Sequence, residues 1–324
     1  MGQKGVSRKG TWVRVGEAVH RRFVPGTRLA VGLSGGADSV VLAEALHRLG
    51  AKPVLLHFNH RWRGRTAEAD ARWVKAWGGQ RKLKVVLGRA AQPGRTGEGE
   101  AREARWNFFA KAVRTGKIRE LWLAHQSDDQ AETVLMQLLR GAGPEGLAGM
   151  GEVAERGNWN VVRPLLSFTR EEIRQAAREA GLAWREDSTN RDEKSWRVRI
   201  RKKVFPFLAK IYGRDVRAAL SRTAEILAGE GEYWRKEIGT IPPHPDTRVW
   251  RTKPAAWQRR AIRMWLAYQT YAGPTFAEVE GIRRLLSGGT TAAWQLRQGA
   301  GVRRSGGKLF YHKKMGLIAK AICR

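Results

Sequence analysis

The chain has 324 residues, enough for roughly two domains, and with 42% of them hydrophobic each can bury a core. Sixty-one Lys and Arg against 30 Asp and Glu leave a net charge of 61 − 30 = +31, well beyond what solubility requires, which calls for a polyanionic partner. The single cysteine, Cys323, excludes disulfide frameworks, Cys-rich zinc sites and thiolate iron–sulfur ligation within the chain, and fits a reducing, cytoplasmic setting.

No apolar run of signal-peptide length occurs between Met1 and Gly16, and no stretch of about 18 apolar residues occurs anywhere, so neither export by that route nor a membrane span is expected. Val6 stands where a myristoylation signal wants Ser or Thr, and Cys323 is too near the end for prenylation. The 14 tryptophans strengthen the case for nucleic acid, because indoles beside Arg can stack unpaired bases, although packing accounts for most of them.

In chain order, β-type apolar runs fall at Leu29 to Leu33, Pro53 to Phe58, Leu83 to Leu87, Glu120 to Ala124 and Asn160 to Val162. Between them, apolar residues at three- and four-residue spacing predict helices over Ser39 to Leu49, Thr66 to Trp77, Gly99 to Arg114, Asp128 to Arg140 and Thr169 to Ala180. This alternation predicts an α/β fold with a doubly wound, mainly parallel five-stranded sheet, whose ligands bind where strands end and helices begin. Ala90 to Gly99 and Gly141 to Gly149 have the composition of surface loops.

The alternation stops near Lys210, and helices over Arg214 to Ala228, Pro254 to Gln269 and Phe276 to Leu286 predict a second, smaller, mainly helical domain, so the expected domains are 1–210 and 211–324. Thr275 and Glu278 read as a capping box for the last helix. Strand-like residues at Trp294 to Leu296 and Leu309 to His312, separated by the Gly-rich Gly299 to Gly307, suggest a terminal hairpin. On the helix from Pro254, Arg259, Arg260 and Arg263 fall away from Trp257, Ala261 and Trp265, as a core face opposite an RNA face would.

The sharpest motif follows the first strand: Ser34, Gly35, Gly36, Ala37, Asp38 and Ser39. Adjacent glycines let successive N–H groups point into one concavity, the following helix adds its positive end, and the two serines can bind phosphate oxygens. No Lys of the GxxxxGK[ST] type is present, so a triphosphate needs a metal, for which Asp38 is a candidate ligand. After the fourth strand, Asp128, Asp129 and Glu132 lie at helical spacings that let three carboxylates share a face, which suggests a Mg²⁺ site. The alternative for Asp128 and Asp129 is plain stabilisation of a helix N-terminus.

His57 and Asn59 end the second strand beside this loop and are candidates to contact nucleotide or base, while Arg102 and Arg105 share a helix face suited to phosphate or RNA. Seven basic residues lie between Arg191 and Lys203, with Arg197, Arg199 and Arg201 on one side if extended and spread apart if helical. Either way they read as an RNA or nucleotide-phosphate contact.

The six residues Ser34 to Ser39 resemble the pyrophosphate-binding loop of the N-type ATP pyrophosphatases, the PP-loop superfamily. His57 to Arg63, Ala101 to Trp106, Leu123 to Met150, Arg163 to Leu166 and Asp187 to Asn190 narrow the resemblance, in order and spacing, to the tRNA(Ile)-lysidine synthetase family over roughly residues 28–210. The resemblance implies a Rossmann-like, adenine nucleotide alpha hydrolase type domain followed by a tRNA-binding one. It also implies ligation of free L-lysine to C2 of the wobble cytidine, position 34, of tRNA(Ile) with a CAU anticodon, through an adenylated tRNA and with release of AMP and pyrophosphate. ATP and Mg²⁺ are the implied substrate and cofactor, and a homodimer is left open.

Carried onto this sequence, Asp38, Asp129, Glu132 and Arg199 become the expected catalytic residues, and Ser34 to Ser39 with His57 and Asn59 the ATP site. Asp38, Asp128 and Asp129 are the expected metal ligands, and Arg102, Arg105, Arg163, Asn190, Arg197 and Arg201 the tRNA or phosphate contacts. Thr189 replaces the family's usual Ser, and Val198 stands where Asn is expected. Longer family members carry a further C-terminal domain, before which this chain is expected to end. The alternatives are a cytidine 2-thiolase of the same superfamily, which would use Cys pairs, and a non-catalytic basic RNA-binding protein.

Overall fold

The computed structural model describes residues 9–62, 65–91, 97–186, 195–271, 273–288 and 292–315. These form two compact units, divided between Ala228 and Gly229.

The first unit runs α1 (Thr11–His20), β1 (Leu29–Gly32), α2 (Ala37–Arg48), β2 (Val54–Asn59), α3 (Arg65–Gln80), β3 (Val85–Arg89), α4 (Glu98–Thr115), β4 (Glu120–Trp122) and α5 (Ser127–Leu139). It continues with α6 (Pro144–Leu147), β5 (Val153–Arg156), β6 (Trp159–Val162), α7 (Arg170–Glu179), α8 (Trp196–Arg199), a π-helical turn (Ile200–Val204) and α9 (Phe205–Tyr212). The long α10 (Arg217–Ile238) begins in this unit.

The sheet order is β3-β2-β1-β4-β6-β5. All neighbours are parallel except β5 against β6. Side-chain alternation explains the two helical layers. Leu29, Val31, Leu55, Trp122 and Val162 point into a core with α1, α2 and α7, whereas Ala30, Leu56, Leu121 and Val161 point into a second core with Phe109 and Val113 of α4. The chain therefore reverses direction across the sheet beside β1, where a doubly wound fold opens its crevice.

The expected five strands are six. Val153–Arg156 has one buried face at most and no β-branched run, so its pattern is weak, but the turn at Gly157 folds it back on β6 as an antiparallel edge. The N-terminal α1, which charged residues obscured, packs Val15, Ala18 and Val19 into the first core. The Gly141 to Gly149 loop contains the short α6, and the basic segment after Ser195 is helical, not extended. The unit extends beyond residue 210 because Val216 and Leu220 pack with Phe205 against Ala131 and Leu135 of α5.

The second unit contains the rest of α10, α11 (Thr247–Trp250), α12 (Ala255–Tyr268), α13 (Phe276–Leu286) and the strands β7 (Ala293–Gln295), β8 (Gly301–Ser305) and β9 (Lys308–His312). Its sheet is three-stranded and antiparallel where two strands were expected. The Gly-rich segment read as a separator holds β8, and Gly306 and Gly307, both at positive φ, form the two-residue turn that pairs Ser305 with Lys308. Trp257 and Trp265 are packing residues, and Trp265 donates its indole N–H to the Pro243 carbonyl at 2.8 Å. The capping box of Thr275 and Glu278 forms. Arg259 and Arg263 do not present a bare RNA face: Arg259 pairs with Glu280 at 2.6 Å and Arg263 donates to the Pro274 carbonyl at 2.9 Å. Among the described residues, no helix is long and apolar enough to cross a membrane.

Candidate functional site

The loop after β1 is ordered by its own side chains. Ser34 and Ser39 hydroxyls lie 3.0 Å apart, Gly36 N–H donates to the Ser34 hydroxyl at 3.2 Å, and the Ser39 hydroxyl donates to the Gly36 carbonyl at 2.9 Å. Gly35 has φ +95°, a conformation that a side chain would strain. Its carbonyl accepts from Arg185 N–H at 2.8 Å, and Arg185 is itself fixed by Asp70 at 2.9 Å. α2 begins at Ala37 directly after this loop, so the N–H groups of its first turn, which have no partner within the helix, lie beside it.

The loop forms one wall of a cavity of about 330 Å³. Ser34, Gly36, Asp38 and Ser39 line that wall, and His57, Asn59 and His60 from the end of β2, Arg102 and Arg105 from α4, and His125 after β4 line the others. Eight of the sequence candidates therefore meet in one cavity, namely Ser34, Gly36, Asp38, Ser39, His57, Asn59, Arg102 and Arg105, whereas Arg185, Asp70, His60 and His125 were not among them. Asp70 carries no motif of its own, and Arg185 stands just ahead of the motif Asp187 to Asn190.

His57 donates Nδ1–H to the Leu33 carbonyl at 2.9 Å, and burial pulls its pKa down, so it is neutral with Nε2 as an acceptor. Burial lowers His60 to about 4, helped by Arg105. His125 is driven well below the ordinary value by burial and by Arg163, Arg105, Arg197 and Arg102. The same crowding lowers Arg105 to about 10, with burial the larger cause, and its buried Nε has no hydrogen-bond partner. A buried cation with an unpartnered N–H in a half-enclosed space creates a demand for an anion.

The other candidates divide by role. Asn59 is engaged in the local turn, accepting from Arg61 N–H at 2.7 Å and donating toward Ala67 and Glu68 at 3.3 and 3.2 Å. Arg163 is buried and ties His125 to the Gly151 carbonyl, at 3.2 and 2.8 Å. Glu132 is fully buried and accepts from Arg201 Nε at 2.7 Å, with its second oxygen unpartnered. Arg199 stacks its guanidinium over Trp196 at 4.0 Å. Asn190, with the motif Asp187 to Asn190 and residues Arg191 and Lys194, lies outside the described residues, as do Arg63, Cys323 and residues 92–96 of the first surface loop.

The acids separate into a pair and an outlier. Asp38 is raised to about 6, first by burial and then by the neighbouring charge of Asp129, against the pull of Arg170, Arg174 and Arg201. Two carboxylates that repel one another beside a phosphate-type loop fit a cation. Asp128 does not join them: it accepts from Arg170 N–H at 3.0 Å, pairs with Arg217 and faces a separate hollow. Among the described residues no group of three or more acid, His or Cys side chains converges as a metal cluster.

A PP-loop domain model matches residues 13–208, and a TilS substrate binding domain model matches residues 246–310. The chain is 36% identical to the tRNA(Ile)-lysidine synthase of Solibacter usitatus over 296 residues, which cover 87% of this chain and 67% of that protein. It is 32% identical to the enzyme of the same name from Thermosynechococcus vestitus, over 82% of this chain and 80% of that one, and 31% identical to that of Bacillus subtilis, over 88% and 66%. Across curated relatives of that name, the chain spans from about half, 48%, to four fifths, 80%, of their length. Among solved structures, the U34-tRNA thiolase NcsA from Methanococcus maripaludis shares the fold, with a TM-score of 0.54 and 18% identity over 67% of this chain and 79% of that one. With a PP-loop domain that holds the phosphate-type loop and a substrate-binding domain model after it, the chain belongs to the tRNA(Ile)-lysidine synthase family.

Proposed function

We propose that the protein acts in the cytoplasm to join free L-lysine to C2 of the wobble cytidine of tRNA(Ile) bearing a CAU anticodon, consuming ATP and releasing AMP and pyrophosphate. The observation that carries this reading is the pairing, in one cavity, of the Ser34 to Ser39 loop with a cationic wall of Arg102 and Arg105, in which the buried Arg105 Nε has no hydrogen-bond partner. One wall suits a nucleotide polyphosphate and the other a nucleic-acid backbone.

The C2 carbonyl oxygen of cytosine is a poor leaving group, and attachment to the α-phosphate of ATP lets it depart as AMP. The loop N–H groups and the Ser34 and Ser39 hydroxyls would hold the departing pyrophosphate by electrostatic preorganisation. Asp38 and Asp129 would hold a Mg²⁺ ion, which supplies neutralisation of the phosphate charge. Lysine must attack as a free amine, whose ordinary pKa is about 10.4. The Arg-rich wall favours the neutral amine over the ammonium, so lysine can bind with its proton already released to water, since Asp129 is assigned to the metal and Glu132 to Arg201. In this reading Glu132 positions Arg201.

The cytidine 2-thiolase alternative gains nothing: the sequence has one cysteine, and the likeness to the thiolase is one of fold. Incubation with ATP, Mg²⁺, labelled lysine and tRNA(Ile) is expected to place label in the RNA and AMP in solution in equal amounts. A label absent from the RNA while a sulfur donor or another amine is incorporated would overturn the assignment.

A further inference from the structure

From Trp196 to Tyr212, α8, the π-helical turn and α9 follow one another without a break. At about 1.5 Å per residue the rod is roughly 25 Å long. Its inner side is fixed, since Ile200, Val204 and Phe205 pack on Ala131 and Leu135 of α5. Its outer side is unusual. Trp196 is 57% exposed and Phe207 is 62% exposed. Trp196 opens the rod and Phe207 stands in its last helix, about 16 Å further along at 1.5 Å per residue.

Cations alternate with these rings. Arg199 lies over Trp196 at 4.0 Å, Lys210 is exposed one turn beyond Phe207, and beyond the end of the rod Arg214 lies over Tyr212 at 5.2 Å, where Tyr212 is 65% exposed. Large rings left in water are a liability unless something covers them. A protein partner that covered them with apolar surface would also bury Lys210 and Arg214 without counter-charge, which is costly. Unpaired nucleotides meet both demands, because bases stack on rings and on guanidinium planes while phosphates meet the cations.

We infer that the exposed rings and cations of this rod form a stacking platform for single-stranded RNA, with Trp196, Phe207 and Tyr212 as base-stacking rings and Lys210 and Arg214 as phosphate contacts. The inference rests on the reading of the protein as an RNA-modifying enzyme, and it names a surface outside the cavity, with an unpaired loop of the RNA as its occupant.

The test uses the full chain, a synthetic hairpin carrying the anticodon stem and loop of tRNA(Ile), and a fully paired RNA duplex of similar length. Fluorescence anisotropy gives affinities over a series of salt concentrations, and sedimentation gives the oligomeric state. Phe207→Ala is expected to weaken hairpin binding about ten-fold and to leave duplex binding near wild type, with Phe207→Trp restoring the hairpin affinity. Lys210→Gln is expected to weaken both RNAs and to reduce the salt slope by about 0.7. An unchanged melting temperature in both variants shows that the fold is intact.

Hairpin affinity unchanged in Phe207→Ala would overturn the platform, and if the variant also lost a dimer that the wild type forms, the face would be a protein interface instead. Lysine incorporation by the wild type is measured in parallel. Its absence together with the ring-dependent hairpin loss would sink the proposed activity and leave the platform standing. Its presence with no effect of Phe207→Ala would do the reverse.

Discussion

Asp38→Asn is expected to lower AMP release by about 10²- to 10³-fold while tRNA binding stays near wild type. The side chain stands at the start of α2 in the cavity wall, and Asp129 is close enough for the two charges to oppose one another. Asn keeps the shape and removes the charge that would hold a cation. The pKa gives a second signature. Asp38 rises from 3.8 in its ordinary state to about 6 in the fold, so between these values the folded chain holds more protons than the unfolded one. Its contribution to stability is therefore largest at low pH and is lost as pH rises through about 6. Mg²⁺ stabilises the charged form, so it should raise the melting temperature more at pH 7.5 than at pH 5, and Asp38→Asn should remove most of that difference. Turnover near the wild-type rate in the variant would take Asp38 out of the reaction.

The second large effect is expected at Glu132. Its side chain is fully buried and accepts from Arg201 Nε, while Arg201 Nη2 lies 3.8 Å from Asp129. Removal of one partner from a buried ion pair typically costs about 3–5 kcal/mol, because the other is left uncompensated. Glu132→Ala should therefore lose stability in that range by denaturant unfolding. Arg201, released, is then free to close on Asp129 and compete with the cation, so the variant should also need more Mg²⁺ for half-maximal activity. Burial raises the Glu132 pKa despite the pull of Arg201, which means desolvation offsets much of the pair's attraction. Glu132→Gln, which keeps an acceptor for Arg201 and sheds the buried charge, should accordingly be far milder than Glu132→Ala. Equal losses for the two substitutions would show that the charge itself, not the support of Arg201, is what the fold needs.

How far the sequence was legible varies with the range of the interactions involved. The central parallel strands were legible because they are buried on both faces and read as apolar runs, and the phosphate-type loop because Gly35 and the flanking serines answer to local backbone geometry. The edge strand Val153–Arg156 was not, since its pairing with β6 substitutes for burial as its reason to be extended. The roles of the acids were hidden for a different reason. Helical spacing places Asp128, Asp129 and Glu132 on neighbouring positions, but only contacts distant in sequence, from Arg170, Arg201 and Arg217, decide which of them face the cavity. Arg185 and Asp70 escaped notice likewise, because they act on Gly35 from positions remote in the chain.

The most direct measurement is a calorimetric titration of the purified protein with ATP, with and without Mg²⁺. A nucleotide cradled after β1, with its cation held by Asp38 and Asp129, predicts saturable binding at one site per chain that strengthens with Mg²⁺ and weakens in Asp38→Asn. No heat of binding and no rise in melting temperature at millimolar ATP and Mg²⁺ would contradict the account at its base.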